Sequence, residues 1–377
     1  MSSFQHELLD DPQALIQADR GGLLRALAGA GAQVRRGIET AGEFGVERLR
    51  GSEPPRAVLI APDAAAPYLS SLLAALASAD APVLDWRDPV LPRWAGPADA
   101  LVVVSADGRH PRLAELVAQA DRRGMVVAVA APVRSPVGAA AGRHPVADVS
   151  YLASVPPRAA WWALATPALQ ALDALGLAPT AHLMAAVADS LDGVAETDRP
   201  DSSAYTGPAK LLAAELAESV PVIAGIGRGA TVAARRFAGA VQLIGGSTAM
   251  AAALPDDVAR IGSLLEFATT DADFFADRVS EPRVRPRLVL IGDDDRYGEP
   301  QDTQWDSLGD DAGRRAGSAL AGLAASRGIG SSRILVPDAP PLVRFAAASA
   351  TGDFAATYLA LARGIDPSAP RLGELPH

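Results

Sequence analysis

The feature that most constrains the fold of this chain is a regular alternation of short apolar runs with helical segments. In the first half, apolar runs typical of buried strands alternate with segments whose apolar residues recur at helical spacing. The predicted strands lie at 56–62, 81–86, 100–105, 125–132 and 146–153. The predicted helices lie at 66–78, 111–124 and 135–143. Near-continuous apolar strands separated by helices indicate a parallel sheet that is covered on both faces. The sequence therefore predicts a doubly wound α/β unit here.

The same alternation recurs later in the chain. Predicted strands lie at 220–227, 285–292 and 332–338, between predicted helices at 207–219, 230–244, 313–328 and 341–364. The chain thus repeats one α/β pattern, and its 377 residues leave room for two hydrophobic cores. We predict four parts, which are an N-terminal helical segment over 1–50, a first α/β domain over 51–155, linking helices over 156–206, and a second α/β domain over 207–377.

Composition and charge exclude several classes of protein. A formal net charge of −10 argues against nucleic acid as a partner, since a nucleic-acid-binding protein normally carries a basic surface. With no cysteine, the chain has neither disulfides nor thiolate metal sites. No apolar run approaches the ~20 residues of a membrane span, and the polar, acidic start is unlike a signal peptide. We expect a cytoplasmic protein with no membrane partner.

An acidic stretch with Gly and Pro, residues 293–312, separates a predicted strand from a predicted helix. We predict that it is an exposed loop. The triplet Asp293–Asp295 could bind a divalent cation at the strand end, but a solvated loop is the favoured interpretation, so no metal site is expected.

The C-terminal stretch GDFAATYLALARGIDPSAPRLGEL, residues 352–375, resembles the ending of the bifunctional phosphoglucose/phosphomannose isomerases. Residues 17–39, 156–160 and 207–237 resemble the leading helices, the Pro-Arg-Ala step and the start of the second domain in that family. The resemblance spans nearly the whole chain. It implies two SIS (sugar isomerase) domains, a homodimer, and interconversion of fructose 6-phosphate with glucose or mannose 6-phosphate, without a metal or organic cofactor.

The resemblance identifies the loop after the strand at 100–105 as a phosphate-binding loop. The family has Ser-x-Ser-Gly-x-Thr there, and this chain keeps Ser105 and Gly108 but has Asp107 and His110 in place of the two other hydroxyl residues. A carboxylate repels a phosphate, although Arg109, Arg112 or a protonated His110 could offset this. The alternatives are a recast anion site and a solvated turn in which Asp107 accepts hydrogen bonds from nearby N–H groups.

Other parts of the family's site are also changed. The family's first phosphate loop is Gly-rich with a Ser, whereas residues 61–67 here contain neither glycine nor hydroxyl and carry Asp63. Gln242 falls at the position of the family's glutamate base, and an amide does not accept a proton at neutral pH. The ring-opening histidine is missing from its place, whereas Arg158 matches a family arginine.

A glycine-rich turn, residues 224–230, follows the predicted strand of the second domain. Its backbone together with Arg228 could cradle a small anion, or the turn could serve only the scaffold. Its spacing departs from the dinucleotide-binding fingerprint, so a dinucleotide site is disfavoured.

Two hypotheses follow. The first is a catalytically degenerate relative that binds a sugar phosphate, another small anion or a protein partner, with Ser105, Asp107, Gly108, Arg109, His110, Arg158 and Arg228 as candidate ligand-binding residues. The alternative is an active isomerase with a rebuilt site, in which Asp107 is the base and His110 opens the sugar ring.

Overall fold

The computed structural model describes residues 4–50, 53–78, 80–267, 285–292 and 304–369. These residues form two compact units, which we call the first unit (25–193) and the second unit (4–24 with 194–369). Helices α1 (Pro12–Ala18) and α2 (Leu23–Ala28) begin the chain, and α2 contains the residue at which the second unit gives way to the first. Each unit is built on a parallel sheet with helices, which confirms the predicted α/β class.

The first unit contains a five-stranded sheet in the order β2-β1-β3-β4-β5, with every neighbouring pair parallel. Its elements in chain order are α3 (Ala30–Glu43), β1 (Val58–Pro62), α4 (Leu69–Leu76), β2 (Val83–Asp85), β3 (Ala100–Val104), α5 (Pro111–Arg122), β4 (Val126–Ala130), α6 (Pro136–Ala141), β5 (Pro145–Ala147), α7 (Trp161–Ala174) and most of α8 (Met184–Thr197), whose residues from 194 on belong to the second unit. All residues of β1 and β3 are buried, as expected for central strands covered on both faces.

Helix α5 shows how the pattern of apolar residues positions an element of the first unit. Its buried residues are Leu113, Leu116, Val117 and Ala120, which share one face of the helix because they are spaced three and four apart. They belong to the core cluster that also contains residues of β1, β3 and β4. The helix ends at Arg122, and the chain turns at Gly124, whose φ of +68° suits a residue without a Cβ.

The second unit contains a four-stranded parallel sheet in the order β7-β6-β8-β9. Its elements after residue 197 are α9 (Pro208–Leu216), β6 (Ser219–Ile226), α10 (Arg228–Leu243), β7 (Met250–Leu254), α11 (Val258–Phe267), β8 (Arg285–Ile291), α12 (Gln304–Ser326), β9 (Ser331–Ile334) and α13 (Pro341–Ala362). Helix α13 is a single helix that is buried at nearly every position.

Two structural predictions were wrong in part. The strand expected at 146–153 is only the short β5, and Ser150–Ser154 form a 3-10 helix. The acidic stretch 293–312 was expected to be an exposed loop, but α12 begins at Gln304, so residues 304–312 are helical. The sequence DSLGDDAGRR continues without proline into the predicted helix, so nothing in it stops the helix from extending towards its N-terminus. The remaining residues of the stretch, 293–303 with the Asp293–Asp295 triplet, lie outside the described residues.

A buried ammonium group ties three segments of the second unit together. Lys210, on α9, is the only lysine of the chain, and its side chain is fully buried. Its Nζ donates to the carbonyl oxygens of Leu9 at 2.6 Å, Pro200 at 2.7 Å and Ser202 at 2.6 Å. We call this arrangement the Lys210 clamp. Because Leu9 precedes α1, the clamp holds the start of the chain on the second unit.

Asp198 lies beside the Lys210 clamp and is also buried. Its Oδ1 accepts the Ala209 N–H at 2.8 Å, and its carbonyl oxygen accepts the Tyr358 hydroxyl at 2.5 Å. Burial raises the pKa of the Asp198 carboxyl to about 6, against the opposing effect of the Ala209 hydrogen bond and the Lys210 charge. The folded state therefore holds this proton more tightly than the unfolded state, where the pKa is about 4.

This pKa predicts how Asp198 affects stability as pH changes. The tighter proton binding by Asp198 stabilises the folded state fully below pH about 4. This stabilisation, roughly 3 kcal/mol at most, is lost as the pH rises through about 6. Asp198→Asn keeps an acceptor for the Ala209 N–H but removes the titration. We therefore expect the variant to gain stability relative to the wild type between pH 4.5 and pH 7.5, measured by urea unfolding. The exposed Asp201→Asn is the control, and a pH-independent difference between Asp198→Asn and wild type would contradict the assignment.

Candidate functional site

The sheet of the first unit has a topological switch point between β1 and β3. These two strands are neighbours, and α4 leads from β1 outward to β2 on one side, whereas α5 leads from β3 to β4 on the other. Ligands of doubly wound sheets bind beyond the carboxyl ends of the strands at such a point. Here Asp63 follows β1 directly, and Ser105 follows β3 directly.

The Asp63 carboxylate occupies the hydrogen-bond donors at this switch point. Its Oδ2 accepts the Ser105 hydroxyl at 2.8 Å and the Ala106 N–H at 2.6 Å. Its Oδ1 accepts the Ala65 N–H at 2.9 Å within its own turn. Ser105 is completely buried, so its hydroxyl hydrogen bond is made inside the protein. The loop after β3 therefore binds an anion, and that anion is a side chain of the same unit.

The surroundings of Asp63 have mixed charge. Burial raises the pKa of the Asp63 carboxyl, the three hydrogen bonds lower it, and the nearby Asp107 raises it further. The Arg112 guanidinium lies close enough to interact with Asp63 and donates to the carbonyl oxygens of Pro62 and Trp86, both at 3.1 Å. Burial lowers the pKa of Arg112, but an arginine remains protonated. The switch point thus combines converging donors with one fixed cation.

Two hydrogen bonds of the Gly108 backbone also hold the shape of the loop after β3. The Gly108 N–H donates to Ser105 Oγ at 3.0 Å, and the Gly108 carbonyl accepts the Val137 N–H at 3.0 Å. Gly108 has a φ of +65°, and a Cβ there would overlap Ser135 Oγ. Glycine is therefore required at position 108 both for the turn and for the close approach of the loop after β4.

The other residues predicted for this loop lie on its exposed side. Asp107, Arg109 and His110 are all exposed. Asp107 Oδ1 accepts the Arg109 N–H at 2.9 Å, and His110 Nδ1 accepts the Arg112 N–H at 3.3 Å at the start of α5. Both side chains stabilise the backbone of the turn. The resemblance suggested that Asp107 faces the anion, but the carboxylate on the buried donors belongs to Asp63.

The sequence analysis does not predict the role of Asp63, which it places only in a changed phosphate loop. The signal was present as an acid directly after one central strand and a hydroxyl directly after another. That Asp63 and Ser105 contact each other follows only from the order of the strands, in which β1 and β3 are neighbours.

The remaining candidates lie at three different places. Arg158 is half-buried in a short 3-10 turn of the first unit, Pro157–Ala159. Arg228 is exposed and begins α10 in the second unit, directly after Gly227 with its φ of +82°. Gln242 lies near the other end of the same helix, about 20 Å from Arg228, and its Nε2 donates to the Ala249 carbonyl at 2.7 Å. Within the second unit, the glycine turn and Gln242 are therefore well separated.

The part of the chain that the structure describes contains neither a cluster of metal ligands nor a helix that could span a membrane. Across these ranges, histidine and acidic side chains nowhere gather in threes as ligands of an ion. The helices described, including α12 and α13, are too short or too polar to cross a bilayer.

Comparison with known families gives a match for the second half of the chain. Residues 206–371 match the family described as the bacterial phospho-glucose isomerase C-terminal SIS domain. None of the curated proteins compared with the chain matches it.

Solved structures resemble nearly the full length of the chain. One is a hypothetical protein from Thermus thermophilus, with a TM-score of 0.64 and 16% identity over 98% of this chain and 96% of that one. A second is the tagatose-6-phosphate ketose/aldose isomerase from Escherichia coli, with a TM-score of 0.55 and 11% identity over 96% and 97%. A third is the C-terminal domain of glucosamine-fructose-6-phosphate aminotransferase from Francisella tularensis, with a TM-score of 0.52 and 11% identity over 93% and 96%. At these identities the likeness establishes the fold alone, which is that of phosphosugar isomerase-like proteins. The family match assigns a SIS domain to residues 206–371.

Proposed function

We propose that this chain is a SIS-domain protein without aldose–ketose isomerase activity, which acts by binding a small anion or a protein partner. The observation that carries the proposal is the Asp63 carboxylate on the Ser105 hydroxyl and the Ala106 N–H. A phosphorylated sugar that approached these donors would meet an anion already bound to them. Like charges placed against each other in this way cost several kcal/mol.

Gln242 supports the same proposal from the second unit. At the position where the resemblance requires a glutamate base, the amide donates to the Ala249 carbonyl. An amide oxygen does not take up a proton at neutral pH, so this side chain cannot shuttle a proton between two sugar carbons. Arg228 and the glycine turn before α10 remain as a candidate anion-binding place for a non-catalytic protein.

The alternative, an active isomerase with a rebuilt site, is favoured by the exposure of Asp107 and His110. Both lie on the solvent side of the loop at the switch point, where a substrate could reach them. Against it, both side chains already accept hydrogen bonds from the backbone of their own turn. Base and ring-opening roles for them, assisted by Arg109 and Arg158, would require those hydrogen bonds to be exchanged for contacts with the sugar.

A coupled assay with fructose 6-phosphate separates the two functions. We expect no turnover above the enzyme-free rate for the wild type, because Gln242 stands where the resemblance requires the glutamate base and Asp63 occupies the donors of the loop. Formation of glucose or mannose 6-phosphate that disappears in His110→Ala, but persists in the exposed control His182→Ala, would overturn the proposal in favour of the alternative. Thermal shifts with hexose 6-phosphates test binding, and a shift that is lost in Arg228→Ala would assign the anion to the second unit.

A further inference from the structure

We propose that Asp63 is a built-in ligand of an otherwise competent oxyanion site, so that removing its carboxylate opens the first unit to a phosphate group. This inference rests on the proposed function, because it explains why the native loop rejects a phosphate. Its ligand class is a tetrahedral oxyanion, either free or as a phosphate monoester. Position 63 would then be the residue that decides whether this SIS domain binds phosphate.

The donors around Asp63 are those that a phosphate needs. One hydroxyl, from Ser105, and two backbone N–H groups, from Ala65 and Ala106, converge on the two carboxylate oxygens at 2.6–2.9 Å. Hydrogen bonds to an ionised acceptor are short and strong, and a phosphate oxygen accepts them as a carboxylate oxygen does. Converging backbone N–H groups of this kind form anion-binding concavities in many phosphate sites.

The charges around the loop also suit an anion once Asp63 is gone. Arg112 remains, held in place by the Pro62 and Trp86 carbonyls. In the native protein its charge is opposed locally by Asp63 and by Asp85, both of which interact with it. Loss of the Asp63 carboxylate removes the negative charge that sits directly on the donors, whereas Asp107 stays on the exposed side of the loop.

The loop keeps its shape without Asp63 because other contacts hold it. Gly108 is fixed through the Ser105 Oγ and through Val137, which lies near the start of α6. The Asp63 backbone N–H donates to the Val104 carbonyl at 3.0 Å, and this bond does not depend on the side chain. Substitution at position 63 therefore empties the donors without dismantling the loop that presents them.

The test is phosphate binding by Asp63→Ala, measured by isothermal titration calorimetry with inorganic phosphate and by thermal shift. We expect affinity for phosphate at least about tenfold higher than in the wild type, and a rise in the melting temperature with phosphate that the wild type does not show. Asp107→Ala is the matched control, because it also removes one carboxylate near the switch point, from the loop after β3, but leaves Asp63 on the donors. The double variant Asp63→Ala/Ser105→Ala should lose the gain.

The outcomes distinguish this inference from the proposed function. If Asp63→Ala folds but binds phosphate no tighter than the wild type, or if Asp107→Ala gains as much, the inference is wrong while an inactive wild type still supports the proposed function. Turnover by the wild type would instead overturn the proposed function. Should Asp63→Ala fail to fold, Asp63→Ser carries the same test. Comparison of inorganic phosphate with glucose 6-phosphate identifies the source, since tighter binding of the latter means that the sugar is also recognised.

Discussion

Replacement of Lys210 by methionine is expected to lower the free energy of unfolding of the second unit by about 4 kcal/mol. The substitution leaves the carbonyl oxygens of Leu9, Pro200 and Ser202 without the ammonium group that satisfies them. Each buried acceptor left unpaired costs about 1–3 kcal/mol. Part of this loss is offset because the desolvation of the ammonium, which lowers the pKa of Lys210, no longer opposes folding.

Chemical unfolding followed by circular dichroism measures this loss. The neighbouring Leu211 is 45% exposed, so Leu211→Ala is a control on the same helix that should change stability by about 0.5 kcal/mol or less. If Lys210→Met were as stable as Leu211→Ala, the three carbonyl contacts would contribute nothing and the Lys210 clamp would not hold the start of the chain.

Replacement of Asp353 by alanine is expected to cost about 3–5 kcal/mol. Asp353, on α13, pairs with Arg236, on α10, across 2.5 Å, and both side chains are at most 10% exposed. Burial raises the pKa of Asp353, and the Arg236 charge lowers it. The charged form of this buried carboxyl is therefore stabilised by its contact with Arg236. Removing the carboxylate takes the ion-pair partner away from the buried Arg236 guanidinium, which is the costly way to break an ion pair.

Two further variants test whether the cost of Asp353→Ala arises from the loss of the ion pair. The double variant Arg236→Met/Asp353→Leu fills similar volume without charge and should recover most of the lost stability. Asp192→Ala, which breaks the exposed pair with Arg35 in the first unit, should cost about 1 kcal/mol or less. A double variant as unstable as Asp353→Ala would show that the carboxylate stabilises α13 by some contact other than the ion pair.

The buried strands were the part of the fold that the sequence predicted best. The apolar runs at 100–105 and 285–292 correspond to β3 and β8 within a residue at each end. By contrast, β7 was not predicted, because its residues, MAAAL, include none of the β-branched side chains that are typical of strands. It is a strand because its backbone pairs with β6, and such pairing is not encoded in the local pattern.

The sequence indicated the loop from Ser105 to His110 as a candidate site, but it did not indicate the contact of this loop with Asp63. The loop from Ser105 to His110 was identified from its place after a strand and from the resemblance. The contact between Asp63 and Ser105 joins residues 42 positions apart, and it exists because β1 and β3 are neighbours in the sheet. A local sequence pattern carries the residue types at strand ends but not the order of the strands.

The stretch that carried the family resemblance serves packing in this structure. Gly352 lies against the Phe237 ring, where a Cβ would come within 2.9 Å of a ring carbon, and Asp353 pairs with Arg236. Tyr358 is buried and donates to the Asp198 carbonyl. These residues are required by the fold whether or not the protein catalyses anything. A signature built on them therefore identifies the SIS fold and says little about activity.

The burial of Lys210 has a practical consequence for chemical labelling. Because the chain contains one lysine and its amine is enclosed by carbonyl groups, no other side chain offers a primary amine to an acylating reagent. An N-hydroxysuccinimide ester should therefore spare the side chains of the folded protein and acylate Lys210 only when the second unit opens. The rate of that single acylation, read by mass spectrometry, would report the opening of the second unit without any engineered probe.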